Sequence, residues 1–348
     1  MRTNITFYHL DLNQKHLFKY IAKYLSKKRF KINFSNNLNY KSDIGFYAEN
    51  SNNLKNINCK ISIICLGGMD QGKLFWPNLW KKESWSKFDF GILPGMKWAN
   101  MWRQSSWYKG SRPKRGMLLT GWPKTSQLHE YRRKKNKKFK TILYAPCFET
   151  DNKGIEVVNA LIQSKYRLLI KHLPWDQKRD LIKFKDVREN IKKMEKYAKL
   201  KLGKSVKIIS SKDNIMKYYS QADLLITDES SVMYEALLFN LPTLSCIDWP
   251  MRINNSNKPR NVNPDYDVCN YTLKKKLKQK IIEIINNNKK FKKIILNKKK
   301  YHFSYINDSA KNISVFLENY LDKGIIKFKL NPSFKINSFK SKFVDLIN

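Results

Sequence analysis

The sequence predicts an α/β protein of two domains, each with a parallel β-sheet covered by helices. In the second half, short apolar runs alternate with segments of helical periodicity over short connections, which is typical of βαβ units. A less regular alternation of the same kind occurs in the first half. Between the halves, residues 131–140 read YRRKKNKKFK, with seven cations and no acid, a composition that indicates a linker.

The second half shows the alternation most clearly. Its predicted strands are short apolar runs, which lie at residues 141–146, 166–170, 206–210, 224–227 and 242–247. The predicted helices lie between them, at residues 154–164, 180–202, 213–220 and 230–239. Because ligands of such sheets bind at the carboxyl ends of the strands, we expect a binding site at that edge.

The first half is harder to divide. Its predicted strands are apolar runs at residues 5–8, 61–66, 88–93 and 117–119, and residues 14–27 have the spacing of an amphipathic helix. The resulting division places an N-terminal domain at residues 1–125, a basic linker at 126–138, a C-terminal domain at 139–325 and a tail at 326–348. The 348 residues are enough for two hydrophobic cores of this size.

The chain is strongly basic. Its 69 Lys and Arg against 28 Asp and Glu give a formal net charge of +41, which favours an anionic partner: a phosphorylated substrate, an acidic membrane surface or nucleic acid. Part of the lysine excess can also reflect an AT-rich genome. No RNA- or DNA-binding signature accompanies the charge, so nucleic acid is the least favoured of these partners.

The five cysteines include no CxxC pair, and three of them lie in or beside apolar runs. This usage predicts a reducing, cytoplasmic compartment, with neither a disulfide framework nor a zinc site. No signal peptide is evident in residues 1–19, where polar residues interrupt the apolar ones. The apolar run at 61–66 is far shorter than the ~20 residues that a membrane-spanning helix needs.

The most informative segment is DLLITDESSVMYEALLFNLP at residues 223–242. A buried strand is predicted to end at Thr227, so that Asp228 stands at its carboxyl end, and Ser230 and Ser231 then begin a helix. Backbone N–H groups at a helix start favour an anion, and two hydroxyls add further donors. Ordinary capping of the helix by Asp228 or Ser230 is the alternative interpretation.

Within this segment, ITDESSVMYEALLFNLP resembles the signature of the CDP-glycerol glycerophosphotransferases, the family of teichoic-acid polymerases and primases. Three further segments resemble motifs of that family in the same order along the chain: LLTGWPKTSQL, TILYAPCFETD and YRLLIKHLPW. Together these motifs cover roughly residues 116–250. The resemblance implies a GT-B fold, in which two Rossmann-like domains face each other and the C-terminal one binds the nucleotide.

The resemblance also implies a set of site residues. The positions that it matches to donor binding are Lys124, Pro146, Cys147, Lys171, Ser230, Ser231 and Glu235. Of these, Lys124 and Lys171 would face phosphate. His172 approximates a histidine that ends a strand in the family and is a candidate catalytic residue, although the order here is His-Leu-Pro where the family has His-Pro. Binding of a loop carbonyl is the alternative role of His172.

The N-terminal half departs from the family pattern. Members carry a His-Gly motif after a buried strand as the source of a general base, whereas this chain has LGGMDQGK at residues 66–73. Asp70 is the nearest candidate base, and it could serve only if burial raised its pKa. The alternative is that Asp70 is a turn residue.

These observations predict a transferase that moves a polyol phosphate from a CDP-activated donor to a hydroxyl of a surface polysaccharide or lipid-linked glycan. The reaction is expected to need no cofactor and no metal, and the D-x-D string at residues 265–267 is interpreted as an Asx-rich turn. A glycosyltransferase that uses a nucleotide sugar and a non-catalytic GT-B binding protein are the alternatives.

A lysine-rich segment at residues 274–300 contains twelve Lys and one Glu, with its apolar residues on one helical face. It is either a terminal helix with a solvated basic face or a surface that docks on anionic lipid. The predicted location is therefore the cytoplasm, with peripheral attachment to the cytoplasmic face of the membrane as the second option.

Overall fold

Two sheets of mainly parallel strands with helices packed against them form the fold, so the predicted α/β class is confirmed. The computed structural model describes residues 2–48, 54, 57–69, 80, 84–131, 139–173, 175, 184–251 and 260–332. The first sheet belongs to a unit made of Met1–Glu130 and Lys300–Asn348, the first unit. The second sheet belongs to Tyr131–Lys299, the second unit.

The described strands and helices are as follows. The strands are β1 (Thr3–Tyr8), β2 (Phe30–Ser35), β3 (Ser42–Ala48), β4 (Cys59–Cys65), β5 (Phe90–Ile92), β6 (Gly116–Leu118), β7 (Thr141–Tyr144), β8 (Arg167–Lys171), β9 (Val206–Ile209), β10 (Leu224–Ile226), β11 (Thr243–Cys246), β12 (Asn270–Thr272) and β13 (Lys329–Leu330). The helices are α1 (Leu12–Tyr24), α2 (Met96–Ser105), α3 (Lys153–Leu161), α4 (Lys185–Leu202), α5 (Met216–Tyr219), α6 (Val232–Leu238), α7 (Leu277–Asn286), α8 (Asn288–His302) and α9 (Ser309–Lys323). In this described part of the chain, no helix combines the length and the apolar character that crossing a membrane requires.

The sheet of the first unit has the order β13-β6-β5-β4-β3-β1-β2, and its neighbouring strands are parallel except β13 with β6. Helix α1 begins at the N-cap Asp11, whose side chain accepts a hydrogen bond from the backbone N–H of Gln14 at 2.9 Å. The helix buries its apolar face on the sheet, where Phe18 lies on Phe7 of β1 with ring centroids 5.3 Å apart.

The chain returns to the first unit at its C-terminal end, which corrects the predicted domain boundary at residue 325. The backbone N–H of Ala310 in α9 donates to the Ser126 hydroxyl at 2.8 Å. Phe316 of α9 packs edge-on against Phe90 of β5, with centroids 4.9 Å apart. Helical periodicity shows which face of α9 is buried, but it does not show which of two cores that face joins.

Both ends of the first unit therefore differ from the predicted division. Strand β13, in the predicted tail at 326–348, pairs with β6. Ser126, in the predicted linker at 126–138, is fully buried, and the first unit extends to Glu130. Residues 132–138 of the predicted linker lie outside the described residues.

The sheet of the second unit has the order β9-β8-β7-β10-β11-β12, and its strands are all parallel. In register, Ile142 of β7 pairs with Leu224 of β10, and Tyr144 pairs with Ile226. The direction of chain progression across the sheet reverses between β7 and β10. In doubly wound folds, the crevice outside the carboxyl ends of the strands at such a reversal is the place where ligands bind.

Candidate functional site

The carboxyl ends of β7 and β10 form the centre of the candidate site. The Thr227 hydroxyl, just after β10, donates to the carbonyl oxygen of Ala145, just after β7, at 2.8 Å. This contact holds the turn of Pro146 and Cys147 beside the segment that leads into α6. The structure thus brings the predicted turn residues to the predicted serine segment, at the reversal point of the sheet.

The buried carboxylate of Asp228 connects the end of β10 to the loop after β7 and to the start of α3. The carboxylate of Asp228 lies 3.0 Å from the ammonium of Lys153 at the start of α3, and both side chains are fully buried. Asp228 also accepts backbone hydrogen bonds from Cys147 at 2.7 Å and from Phe148 at 3.3 Å. The carboxylate is therefore committed to the β7–α3 loop, and it does not cap α6.

The two serines are left available for a ligand. Ser231 is the N-cap residue of α6, but its side chain makes no capping hydrogen bond, so the structure does not show the alternative role of a capping serine. Ser230 is buried and Ser231 is half-buried. Within the described residues, neither hydroxyl makes a hydrogen bond. Hydroxyls at a strand end that have no protein partner can donate to an anionic group of a ligand.

Glu235 has a partner inside the second unit that the sequence did not indicate. Its carboxylate accepts a hydrogen bond from the Tyr219 hydroxyl at 3.1 Å, and both side chains are buried. Burial, together with the nearby carboxylate, raises the pKa of Tyr219 well above its ordinary value. Glu235 is thus held in place beside the serine segment by a neutral tyrosine.

Lys171, at the end of β8, is tied to the loop that follows β9. Its ammonium donates to the carbonyl oxygens of Ser210 at 3.2 Å and Ser211 at 2.8 Å. Burial lowers the pKa of Lys171 to about 8, while Asp213 acts in the opposite direction. Two of the three ammonium protons therefore serve to connect β8 with β9, which leaves one for the predicted phosphate contact.

His172 lies between two carboxylates. Its Nε2 is 3.3 Å from Glu149 Oε2, and its Nδ1 is 3.6 Å from Glu195 Oε1 of α4. Burial alone would lower the pKa of His172, but the two carboxylates outweigh it and raise the pKa above the ordinary value of 6.5. The structure therefore gives His172 carboxylate partners where the alternative sequence interpretation expected a loop carbonyl, and it favours an imidazolium at this strand end.

Glu149 is the site residue that sequence reasoning missed. It is 1% exposed and accepts hydrogen bonds from the Tyr144 hydroxyl and from the backbone N–H of Gly154, both at 2.8 Å. Its third contact is His172. The sequence does show an acidic residue between the turn after β7 and the start of α3. Nothing in the spacing, however, pairs Glu149 with His172, which lies 23 positions later.

A cavity of about 380 Å³ opens beside His172 at the ends of β8 and β9. Its lining includes Trp175, Arg188, Lys192 and Glu195. The Trp175 ring stacks on Phe148, with centroids 4.9 Å apart and planes at 15°. The lining thus combines the cations Arg188 and Lys192, the residues Ser210 and Ser211, and the aromatic ring of Trp175. Such a lining suits a ligand that combines charge with a flat ring.

Three further predicted features are Lys124, Asp70 and the D-x-D string. Lys124 belongs to the first unit, where its ammonium lies 4.9 Å from the centroid of the Trp122 ring. Asp70 lies outside the described residues, so its predicted role stays a prediction. In the D-x-D string, Asp265 accepts hydrogen bonds from the Tyr234 hydroxyl at 2.7 Å and from the backbone N–H of Asp267 at 3.1 Å, as in an Asx turn.

Solved structures with the same fold include the wall teichoic acid polymerase TagF, with a TM-score of 0.57, 14% identity and coverage of 92% of this chain and 89% of that one. A TagF variant soaked with CDPG gives 0.55 and 14%, with coverage of 91% and 88%. The S. aureus MnaA–UDP structure gives 0.59 and 12%, with coverage of 95% and 100%. At these identities the similarity establishes the fold, and it confirms the predicted GT-B-like architecture.

No curated protein matches this sequence. The profile of the family described as CDP-glycerol:poly(glycerophosphate) glycerophosphotransferase matches residues 73–249, about half of the chain, which include the turn after β7, the Glu149–His172 pair and the serine segment. The predicted family is therefore confirmed, and this chain belongs to the CDP-glycerol:poly(glycerophosphate) glycerophosphotransferases.

Proposed function

We propose that this transferase moves a polyol phosphate, glycerol phosphate or a relative such as ribitol phosphate, from a CDP-activated donor to a hydroxyl of a glycan. The acceptor would be a surface polysaccharide or a lipid-linked glycan made at the cytoplasmic face of the membrane. The observation that carries the proposal is the pair of uncommitted hydroxyls of Ser230 and Ser231, held at the reversal point of the sheet in a segment that the family profile matches.

The donor would lie along the carboxyl edge of the second sheet. The serine hydroxyls would donate to the phosphates, and Glu235 would accept from a ribose or polyol hydroxyl. His172, whose pKa is raised by Glu149 and Glu195, would supply positive charge beside the leaving phosphate. Lys171 would contribute less than the sequence suggested, because carbonyl oxygens already take two of its protons.

In the proposed reaction, an oxygen of the acceptor hydroxyl attacks the β-phosphorus of the donor. A new P–O bond forms to the acceptor, the bond between the β-phosphorus and the bridging oxygen breaks, and CMP leaves with the bond electrons. The acceptor proton passes to a base, for which Asp70 remains the predicted candidate. We propose that the reaction is independent of a metal ion, so that turnover should be unchanged by EDTA.

The donor site is tested with the variants Ser231→Ala and Glu235→Gln. Loss of one hydrogen bond to a charged group should weaken CDP-glycerol binding by about ten- to a hundredfold. Calorimetry measures the affinity, and CMP release measures turnover. Ser220→Ala is the matched control, because that hydroxyl donates to the Lys217 carbonyl at the end of α5 and should not affect the donor.

The outcomes separate the competing functions. Unchanged CDP-glycerol affinity in both site variants would remove this donor site. Release of UDP from a UDP-sugar, with no CMP from CDP-glycerol, would favour a glycosyltransferase. Tight CDP-glycerol binding without CMP release, in the presence of lipid-linked glycan acceptors, would favour the non-catalytic alternative that the missing His-Gly motif suggests.

A further inference from the structure

A further charged pair lies beside the serine segment, and the proposed function does not use it. Glu229 stands between Asp228 and Ser230, and its side chain is 4% exposed. Its two carboxylate oxygens accept hydrogen bonds from the guanidinium of Arg260, at 2.5 Å and 2.8 Å. The backbone N–H of Asn263 donates to the same carboxylate. Glu229 is thus bound to the segment that precedes β12.

The segment that carries Arg260 is also fixed through its backbone. The carbonyl oxygen of Arg260 accepts a hydrogen bond from the backbone N–H of Met251 at 2.8 Å. The backbone N–H of Val262 donates to the carbonyl oxygen of Trp249, also at 2.8 Å. The guanidinium is therefore held from two sides, by the backbone that follows β11 and by the carboxylate that follows β10.

The charge of Glu229 is unfavourable for the proposed donor, and the present inference rests on that proposed function. Ser230 is the next residue, with its Cα about 3.8 Å from that of Glu229. A carboxylate so close to the serine hydroxyls would repel the phosphates of a donor. Because the carboxylate is buried, water and salt screen this repulsion only weakly. An acidic residue at this position is therefore compatible with phosphate binding when a cation neutralises it.

We propose that Arg260 is the counterion that makes the serine segment fit to bind phosphate. By pairing with Glu229, its guanidinium cancels the negative charge next to the hydroxyls of Ser230 and Ser231. Arg260 acts on the donor through Glu229, so it is a positioning residue. If the pair served only to attach residues 260–263 to the end of β10, its loss would affect charged and uncharged ligands equally.

The charge of the ligand separates these two roles. Proton and phosphorus NMR titrations measure the dissociation constants of CDP-glycerol, of inorganic pyrophosphate and of cytidine, which carries no phosphate. In Arg260→Gln, the affinities for CDP-glycerol and pyrophosphate should fall about tenfold, because the carboxylate of Glu229 is left without its cation. The affinity for cytidine should change by less than about twofold. Arg260→Lys keeps the positive charge and should lose less affinity than Arg260→Gln.

A second substitution at the pair should reverse the effect of the first. Glu229→Gln in the Arg260→Gln background removes the negative charge, and it keeps a side-chain oxygen that can accept from Asn263. The double variant should recover the CDP-glycerol affinity of the unchanged protein to within about threefold. The matched control is Arg29→Gln in the first unit, which lowers the net charge equally and removes a guanidinium that binds Asp322 through two nitrogens. It should leave all three affinities unchanged.

Several results would overturn the proposal. An equal loss of cytidine and CDP-glycerol affinity in Arg260→Gln would assign the pair to attachment of the segment alone. Unchanged affinity of Arg260→Gln for both phosphate ligands would remove the counterion, as would a double variant that binds them as weakly as the single one. If Arg260→Gln has a much lower melting temperature, Glu229→Gln alone decides: it should bind CDP-glycerol at least as tightly as the unchanged protein, and a tenfold loss would contradict the proposal.

The pyrophosphate titration distinguishes failure of this inference from failure of the proposed function. Binding of pyrophosphate that depends on Arg260, in a protein that does not bind CDP-glycerol, would reject the proposed donor and support the counterion. Binding of CDP-glycerol that depends on Ser231 but not on Arg260 would support the donor site and reject the counterion. Absence of binding of both phosphate ligands to the unchanged protein would reject both.

Discussion

The ion pair of Asp228 and Lys153 joins the end of β10 to the start of α3, and both side chains are fully buried away from water. Asp228→Asn would leave the ammonium of Lys153 buried without a countercharge. Breaking a buried pair in this way costs about 3–5 kcal/mol of unfolding free energy. Urea unfolding should show this loss, and a change below about 1 kcal/mol would mean that the pair does not stabilise the fold.

The exposed pair on α7 provides the control for that measurement. Glu283 lies 2.8 Å from Lys280, and its side chain is 46% exposed. Because water already solvates both partners, Glu283→Gln should change the free energy of unfolding by less than about 1 kcal/mol. Asp228→Asn and Glu283→Gln thus remove the same carboxylate charge, one from a buried position and the other from an exposed one.

The titration of His172 is the second prediction at this scale. Since the carboxylates of Glu149 and Glu195 raise the pKa of His172 above 6.5, their stabilisation is fully present below that pH. It is lost as the pH rises through the raised pKa. In Glu195→Gln, the pKa of His172 should fall, and the stability at low pH should fall with it.

Histidine NMR across the pH range measures this shift directly. Glu189→Gln is the control on the same helix, because Glu189 lies 3.9 Å from Lys185 and both side chains are exposed. The control should leave the titration of His172 unchanged. An equal shift in both variants would point to the general field of α4, and no shift in either would contradict the proposed role of Glu195.

Single residues also show how far the sequence could predict this site. The serine segment and the turn of Pro146 and Cys147 were predictable, because the lengths of two apolar runs determine where the strands end. The partners of Glu149 and Asp228 were not, because they come from elements that lie beside one another only after the sheet has formed. The hydrogen bonds that Lys171 and Glu235 make inside the second unit could not be predicted for the same reason.

At the scale of elements, helix α9 is a test of the domain boundary. Phe316 is fully buried against Phe90 of β5, and truncation of a buried phenylalanine costs about 3–5 kcal/mol. Phe316→Ala should therefore destabilise the first unit. Hydrogen exchange followed by mass spectrometry should show faster exchange in peptides of β5 and α1.

The second unit provides the internal control for this prediction. Peptides of β7 and β10 should exchange in Phe316→Ala as they do in the unchanged protein, because α9 belongs to the other unit. The predicted division at residue 325 forecasts the reverse, with faster exchange in the second unit. The experiment thus decides between the two boundaries.

Of the strands that the sequence missed, β2 and β12 share a physical property that the internal, largely buried strand β3 lacks. Strand β2 is an edge strand in which only Phe30 is buried, so it has no continuous apolar run. In β12, Tyr271 is exposed and Asn270 is half-buried. By contrast, β7 and β10 are buried throughout, and their apolar runs were sufficient to predict them. Edge strands are stabilised by pairing that composition does not reveal.

At the scale of the whole molecule, the net charge of +41 affects stability. If every one of the 28 acidic residues paired with one of the 69 basic residues, 69 − 28 = 41 cations would still lack an acidic partner. Repulsion among them opposes the compact state, and salt screens it, since the Debye length falls from about 10 Å at 0.1 M to about 3 Å at 1 M.

Salt should therefore raise the melting temperature of this protein. Exposed ion pairs such as Lys23–Glu130 weaken in salt, but each is worth at most about 1 kcal/mol. With cations in such excess, relief of repulsion should prevail, and a gain of 1 kcal/mol corresponds to about 2–4 °C for a domain of this size. Differential scanning fluorimetry in NaCl and in KCl measures the effect without an anion that could occupy a phosphate site.

A variant with fewer cations extends the test. The triple variant Lys196→Gln, Lys199→Gln, Lys204→Gln should have a slightly higher melting temperature than the unchanged protein at low salt, and added salt should raise it less. A melting temperature that falls as salt is added would mean that exposed ion pairs, and not repulsion, dominate the surface electrostatics.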